Sequence, residues 1–403
     1  MNSPKRATKY AAGFAAGFLG ILTLANQAQA ADCSTLPSPV YVAGSSAVKP
    51  FVAKVAAELA GLATPITVVY QGQGSCTGIN YMVASPTGTI SGTGVVWDAA
   101  TGAEVAGGCA LSLAGDPVDI GVSDVFATSC PNVVGLPAGI ADFKGPIQAM
   151  TFSVPLASTK QVISAEAAYL LFGLGADGAV GSWTDMTQVM ARSATSGTQQ
   201  MLSAAINVPA AKWLGKPNAG SGDVLNGLVA ATIADAAIGI LATDVVDKNR
   251  GKVRPLAYQH YGQTCGYTPD SDAITSFDKR NVRDGHYAVW GALHMLAKVD
   301  AVGVVANASA KKVIGYLALT EIPTGFDMIQ LEAKSGVVPD CAMRVSRTAE
   351  VGPMASYMPT HSCECKFVYE ATGVAPTGCT TCTAATACPA SKPACNYGFC
   401  EVQ

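Results

Sequence analysis

The chain has 403 residues, of which only 13% are charged, and a formal net charge of −3. That balance argues against nucleic acid or an anionic membrane surface as the main partner, so any positive charge must act locally. Thirteen cysteines imply disulfides in a chain that leaves the cytosol, and an odd count leaves at least one thiol outside the intramolecular pairs.

The first residues predict export. Lys5, Arg6 and Lys9 precede an apolar run from Ala11 to Leu24 and then Ala28-Gln29-Ala30, the order of a secretory signal peptide cleaved after Ala30 rather than of a membrane span. Asp32 before Cys33 does not suit lipid attachment. The product is expected to be periplasmic or secreted and not a lipoprotein, and the remainder is long enough for two domains.

From Val40 the pattern is a short apolar strand, the turn Gly44-Ser45-Ser46, and an amphipathic helix from about Ala47 to Leu59 with Pro50 in its first turn, where proline is tolerated. The β-branched run Ile66 to Tyr70 predicts a second strand. It leads through Gly72-Gln73-Gly74-Ser75-Cys76 into another helix start. Residues 81–117 are rich in glycine and predict a hairpin excursion, Val95-Val96-Trp97 and Ala103-Glu104-Val105 flanking the turn at Ala100-Thr101-Gly102. Val118 to Val122 follows as a buried strand ending in Ser123-Asp124.

Pro146 to Pro155 reads as a strand crossing into a second lobe. That lobe should hold a helix from Ala165 to Phe172, the loop Arg192 to Thr198, a helix from Gln199 to Ile206 and a strand from Ala237 to Leu241. The chain then returns near Pro255, with a strand over Tyr287 to Leu296 and a helix over Ala308 to Leu319. Strands alternating with helices predict a mostly parallel α/β sheet, with ligands beyond the carboxyl ends of its strands. After Pro359 the composition changes, and residues 360–403 hold seven cysteines with few large apolar residues. This predicts a separate disulfide-stapled module, too short for an ordinary core.

Three turns suggest an anion socket. The N–H groups at a helix start lack partners within the helix, and the helix dipole favours negative charge there. Arg192-Ser193-Ala194-Thr195-Ser196-Gly197-Thr198 adds a guanidinium fork, two hydroxyl donors from Ser196 and Thr198, and a close approach at Gly197. Gly44-Ser45-Ser46-Ala47 and Gly74-Ser75-Cys76 repeat the device. Ser123-Asp124 instead offers a carboxylate, which repels an anion unless that anion has a proton to donate. Phosphate and its relatives carry such a proton at neutral pH, and sulfate does not. Each motif taken alone is more often an ordinary helix cap or turn.

Their order along one chain resembles the periplasmic phosphate-binding proteins that feed ATP-binding cassette importers, over most of residues 38–330. The resemblance implies a two-lobed, hinged fold of periplasmic-binding-protein type II, with lobe I at 31–147 and 255–359, lobe II at 148–254, and the hairpin insertion and cysteine-rich tail as additions. It implies that Ser46, Ala47 and Ser75 donate to the anion, that Asp124 accepts its proton, and that Arg192, Ser196, Gly197 and Thr198 complete the shell. It also implies an inner-membrane permease as partner, with no enzymatic activity and neither cofactor nor metal. The family commonly has an aspartate where this chain has Ala194, so Arg192 is expected to be more strongly cationic towards its ligand, and a phosphate ester or arsenate stands as the alternative anion.

Other features offer alternatives. Cys76 is expected to staple its loop to the 81–117 insertion. Cys363-Glu364-Cys365 with Cys379 and Cys382 has zinc-ligand spacing, but their crowding in an exported chain favours small disulfide loops. Such a tail would suit an extracellular or cell-envelope partner, which gives a rival reading of the chain as an interaction or adhesion protein with the body as scaffold. Asp270, Asp272 and Asp278 form either a solvated loop or a calcium site. His294 is expected in the core. No nucleophile elbow, Walker loop or dinucleotide fingerprint occurs in the sequence, and neither a metal cluster nor an activated nucleophile supports a phosphatase.

Overall fold

The computed structural model describes residues 30–84, 86–271 and 275–402. The signal peptide expected at 1–30 lies outside the described residues apart from Ala30, and Asp272 also falls outside them. Among the described residues, no helix is long and apolar enough to cross a membrane.

Nine strands make the main sheet: β1 (Pro39–Gly44), β2 (Thr67–Gly72), β3 (Ile120–Ser123), β4 (Ile140–Pro155), β5 (Val189–Arg192), β6 (Lys216–Asn218), β7 (Ile238–Ala242), β8 (Val253–Pro255) and β9 (Trp290–Lys298). Their order is β6-β5-β7-β4-β9-β3-β1-β2, with β8 also on β4. Two parallel groups lie at the ends, β1 with β2 and β3, and β5 with β6 and β7. The long strands β4 and β9 join them in antiparallel fashion. The sheet is therefore mixed rather than mostly parallel.

Strand β4 makes the crossing between lobes. Residues Ile140 to Ala149 pair with β9 of the first lobe, and Met150 to Pro155 pair with β7 and β8 of the second. The strand starts six residues before Pro146, because its register with β9 carries on through the polar stretch Ala141 to Lys144. The chain also stays against the second lobe beyond Pro255, since Ala257–Gln259 pairs with Val162–Ser164.

Among the described residues, nine α-helices of six or more residues accompany the sheet: α1 (Lys49–Ala60), α2 (Ser75–Val83), α3 (Ala165–Leu174), α4 (Gly197–Ile206), α5 (Ser221–Val229), α6 (Thr243–Lys248), α7 (Ala308–Leu317), α8 (Met328–Ser335) and α9 (Glu364–Thr372). Helix α1 shows why they pack. Phe51, Val52, Val55, Ala56 and Leu59 recur on one face and are buried, each large side chain contributing about 1.5–3 kcal/mol, and the helix stops at Gly61. In the second lobe Phe152 of β4 packs on Phe172 of α3, which stacks on Trp213 at 4.3 Å.

The 81–117 excursion is hairpin-like, with Tyr70 bridged to Val95, Trp97 bridged to Glu104, and the turn closed by Gly102 N–H on the Asp98 carbonyl. Its staple is not Cys76. The insertion is tied by Cys33–Cys109, whereas Cys76 pairs with Cys130 beyond β3. That second bond anchors the start of α2 to the segment following Asp124.

The tail is a disulfide-stapled module that packs on the body. Cys341–Cys363 bonds it to the preceding chain, and Cys365–Cys379, Cys382–Cys395 and Cys388–Cys400 close its own loops, engaging the cysteines that have zinc-ligand spacing. Helix α9 lies against α8, with Cys363, Cys365 and Phe367 buried. Lys366 Nζ reaches Asp327 at 2.9 Å and Arg344 pairs with Glu364. With too little apolar mass of its own, the tail uses the body as the other half of its core. Among the described residues, Cys265 alone is left as a free, exposed thiol.

Asp270 itself is neither solvated nor open to a calcium ion. Asp270 is buried and accepts from Lys279 Nζ at 2.8 Å and from Arg250 Nη2 at 2.5 Å, cations that fill the place a metal would take. Asp278 accepts the Ser271 and Arg280 N–H groups. His294 is fully buried on β9, as expected, with Nδ1 2.7 Å from Asp142 Oδ2.

Candidate functional site

The carboxyl ends of β1, β3 and β5 converge on the cleft between the lobes. At each end the chain turns tightly, leaving backbone groups and small polar side chains where a longer strand would have continued its ladder.

Asp124, just past β3, is the centre. Its side chain is almost fully buried, and Oδ2 accepts from Ser45 Oγ at 2.5 Å and from Ser75 Oγ at 3.0 Å. Oδ1 has no hydrogen-bond partner. Burial raises this carboxyl above its ordinary range; the two serine hydroxyls, then Arg192 and His294, pull it back towards the charged form. The result is an acceptor with a free oxygen.

Ser45 and Ser46 divide their work in a way the sequence does not show. Ser45 Oγ, besides donating to Asp124, accepts the Ala47 N–H at 3.1 Å, so that N–H is already occupied. The turn is held from below by Tyr70, whose hydroxyl donates to the Ser45 carbonyl. Ser46 Oγ faces the other lobe and accepts from Arg192 Nη2 at 2.9 Å.

Arg192, the last residue of β5, is buried. Its Nη1 donates to Ser221 Oγ at 3.0 Å, and Nη2 also reaches the Ala219 carbonyl at 3.1 Å. Nε is buried with no partner. Burial lowers the guanidinium's proton affinity, and the negative charges that oppose this are Asp124 and Asp223. Asp223, held by the Gly220 N–H at the start of α5, thus takes over part of what a carboxylate at position 194 would do.

Ser196 caps α4 without a side-chain hydrogen bond to it, and Thr198 Oγ1 is buried and unpartnered. The N–H groups of Gly197 and Thr198 belong to the helix's first turn and have no acceptor within it. Gly197 lies where nothing larger fits: a Cβ there would be 2.7 Å from Asp124 Oδ2 and closer still to Ser75 Oγ. The opposite contact is the Cys76 N–H on the Thr195 carbonyl at 3.1 Å, beside Gly74. Gly74 has φ +106°, and a Cβ would press on Thr195. The two lobes therefore touch through their turns, and Ser46, Ser75, Asp124, Arg192, Ser196, Gly197 and Thr198 share one polar junction.

Sequence reasoning passed over three participants. Ser45 sits in a motif already singled out and was masked by its neighbour. Ser221 follows a strand and opens a helix behind Gly220, the same signature as the other turns, and was legible. Glu350, whose Oε1 accepts the Phe126 N–H at 2.8 Å, carried no sequence signal.

No family model matches the chain and no curated protein matches it. Solved structures do. A putative phosphate transporter substrate-binding protein with bound phosphate from Clostridium perfringens aligns at TM-score 0.50 and 14% identity, covering 75% of this chain and 99% of that one. An ABC-type phosphate transport receptor from Vibrio cholerae aligns at TM-score 0.46 and 14% identity, covering 75% of this chain and all of that one (100%). The Clostridium likeness shows the fold: this chain has the two-lobed α/β architecture of type II periplasmic binding proteins, with a disulfide-rich C-terminal addition.

Proposed function

We propose that this protein captures a tetrahedral oxyanion that still carries a proton, inorganic phosphate above all, in the cleft between its lobes. The observation that carries the reading is the buried carboxylate of Asp124, with Oδ1 free, set among hydroxyl donors, the first turn of α4 and the Arg192 guanidinium. Donors alone would suit any oxyanion. A carboxylate in their midst favours one that donates a proton back and disfavours sulfate, whose oxygens have none. Ser46, Ser196 and Thr198, with the N–H groups of Gly197 and Thr198, are the ligand's donors in this reading, while Ser75, whose hydroxyl donates to Asp124 and accepts the Asp124 N–H, holds the carboxylate in place. Ala47 contributes packing rather than its N–H, which Ser45 holds.

The function is binding rather than catalysis. Closure of the lobes around the anion would create a surface for a membrane permease; the structurally similar Clostridium protein is described as the substrate-binding protein of a phosphate transporter. Six disulfides support work in an oxidising compartment outside the cytosol.

The test is calorimetric titration of the oxidised protein, freed of bound anion by reversible unfolding, with phosphate and then sulfate. Phosphate should bind and sulfate should not. Equal binding of both would remove the role given to Asp124, and binding of neither would remove the reading.

A further inference from the structure

Glu350 lies outside the stretch that carries the family resemblance, yet it reaches the back of the anion site. Its Oε1 accepts the N–H of Phe126, two residues after Asp124, and its Oε2 is buried without a hydrogen bond. The place is defined by Gly291 of β9: a Cβ there would lie 3.2 Å from the Asp124 carbonyl oxygen, 3.6 Å from Glu350 Oε2 and 2.8 Å from Met201 Cε of α4. Glu350 is thus lodged where the end of β3, the strand β9 and the anion-loop helix of the other lobe meet.

The charged groups facing it are few. Asp124 faces it from the end of β3, His294 from β9 and Arg347 from its own segment. Neither His294 nor Arg347 closes an ion pair with it among the described residues. The His294 ring is held by Asp142, and Arg347 lies 3.7 Å over the Trp290 ring and donates to the Ala288 carbonyl at 3.0 Å. Two carboxylates therefore share one buried region, and charging both is unfavourable. An incoming anion adds further negative charge beside them.

We propose that Glu350 is the proton reservoir of the anion site, taking up a proton from solvent on its carboxylate as the oxyanion enters. Asp124 then remains the charged acceptor, and the ligand's own proton stays on the ligand and is donated to it. The titration range agrees: burial pushes Glu350 up to about 7, the Phe126 N–H, His294 and Arg347 oppose this, and Asp124 adds to it. The proposal deepens the phosphate reading and rests on it.

The test compares the full chain with Glu350→Gln, whose amide oxygen still accepts from Phe126 but exchanges no proton. Phosphate is titrated at pH 7.5 in buffers of different ionisation enthalpy, which counts the protons taken up, and affinities are measured from pH 5.5 to 8.5. Ionisation of free phosphate is common to both proteins and cancels in the comparison. The native protein should take up more protons than the variant. The ratio of its Kd to the variant's should be near one at the acid end and rise to about tenfold at the alkaline end, as expected for removing one like charge from a buried site. Equal uptake and a flat ratio would overturn the proposal and leave Glu350 as a peg for Phe126. Absence of phosphate binding in both proteins would overturn it together with the phosphate reading. Should the variant not fold, a carboxyl 13C titration of the native protein reads the same event: phosphate should move the Glu350 midpoint upward, and an unmoved midpoint overturns the proposal.

Discussion

Replacing Gly197 by alanine adds one methyl group to a helix start and separates closure from folding. Within its own lobe the change is benign, because residue 197 is the first residue of α4 and alanine is the better helix former, by up to about 1 kcal/mol in a helix interior. Across the cleft it is not. The new Cβ would stand 2.7 Å from Asp124 Oδ2 and 2.9 Å from Asp124 Cβ, and both neighbours belong to a turn fixed by the Ser45 and Ser75 hydrogen bonds. Overpacking of this kind costs about 1–3 kcal/mol, and it falls only on the closed arrangement. The expected result is a melting temperature equal to or slightly above the native protein's, with phosphate affinity in calorimetry weaker by about 5- to 150-fold. A variant that binds phosphate as tightly as the native protein would show that the lobes do not meet at Gly197 when the anion is held.

Three further changes probe other parts of the argument. Asp124→Asn removes the charge but keeps the shape; phosphate should bind about 10- to 100-fold more weakly, as for loss of a charge-assisted hydrogen bond, and titration with sulfate should show the selectivity between the two narrowing. Glu332 of α8 is fully buried with neither oxygen hydrogen-bonded, and burial raises its carboxyl well above the ordinary value, Asp327 and Asp340 adding to this. A raised folded value means stability that is complete below the unfolded value and lost as pH rises through the folded one. Denaturant titrations should therefore find Glu332→Gln similar to the native protein near pH 4 and more stable by about 1–3 kcal/mol at pH 8. Phe367→Ala empties the contact of α9 with the body and should cost about 3–5 kcal/mol. If calorimetry showed the main unfolding transition of the body unmoved, the tail would be an independent unit after all.

The lobes were legible in the sequence because local rules and the global fold agree there. Strands β1, β2 and β3 are short apolar runs that stop at glycine or serine, and β1 and β2 are each followed by a helix whose start carries its own signal. The 3.6-residue period of Phe51, Val55 and Leu59 and the run Val68-Val69-Tyr70 needed no partner to be read. The errors lie where a partner decides. Strand β4 extends back through Ala141 to Lys144, a polar stretch that is a strand only because β9 lies beside it. The pairing of Cys76 depended on where the chain after β3 comes to rest, which spacing does not encode. The packing of the tail's helix on α8 is likewise a contact that composition does not encode.

The site divides in the same way. Turns that present hydroxyls and N–H groups advertise themselves, since only glycine, serine and threonine give both a tight turn and a donor. What they could not announce is the division of labour. Ser45 spends its hydroxyl on Asp124 and on the Ala47 N–H, which leaves Ser46 to meet Arg192 from the other lobe. The missing carboxylate at Ala194 looked like a gain in positive charge, yet Asp223 acts on Arg192 from a different turn. Glu350 lies 224 residues after the backbone N–H it holds, in a segment without periodicity or motif. Its weight comes wholly from burial beside a second carboxylate. In this chain the groups proposed to hold an anion follow local grammar, and those that set the charge around the site are placed by tertiary packing.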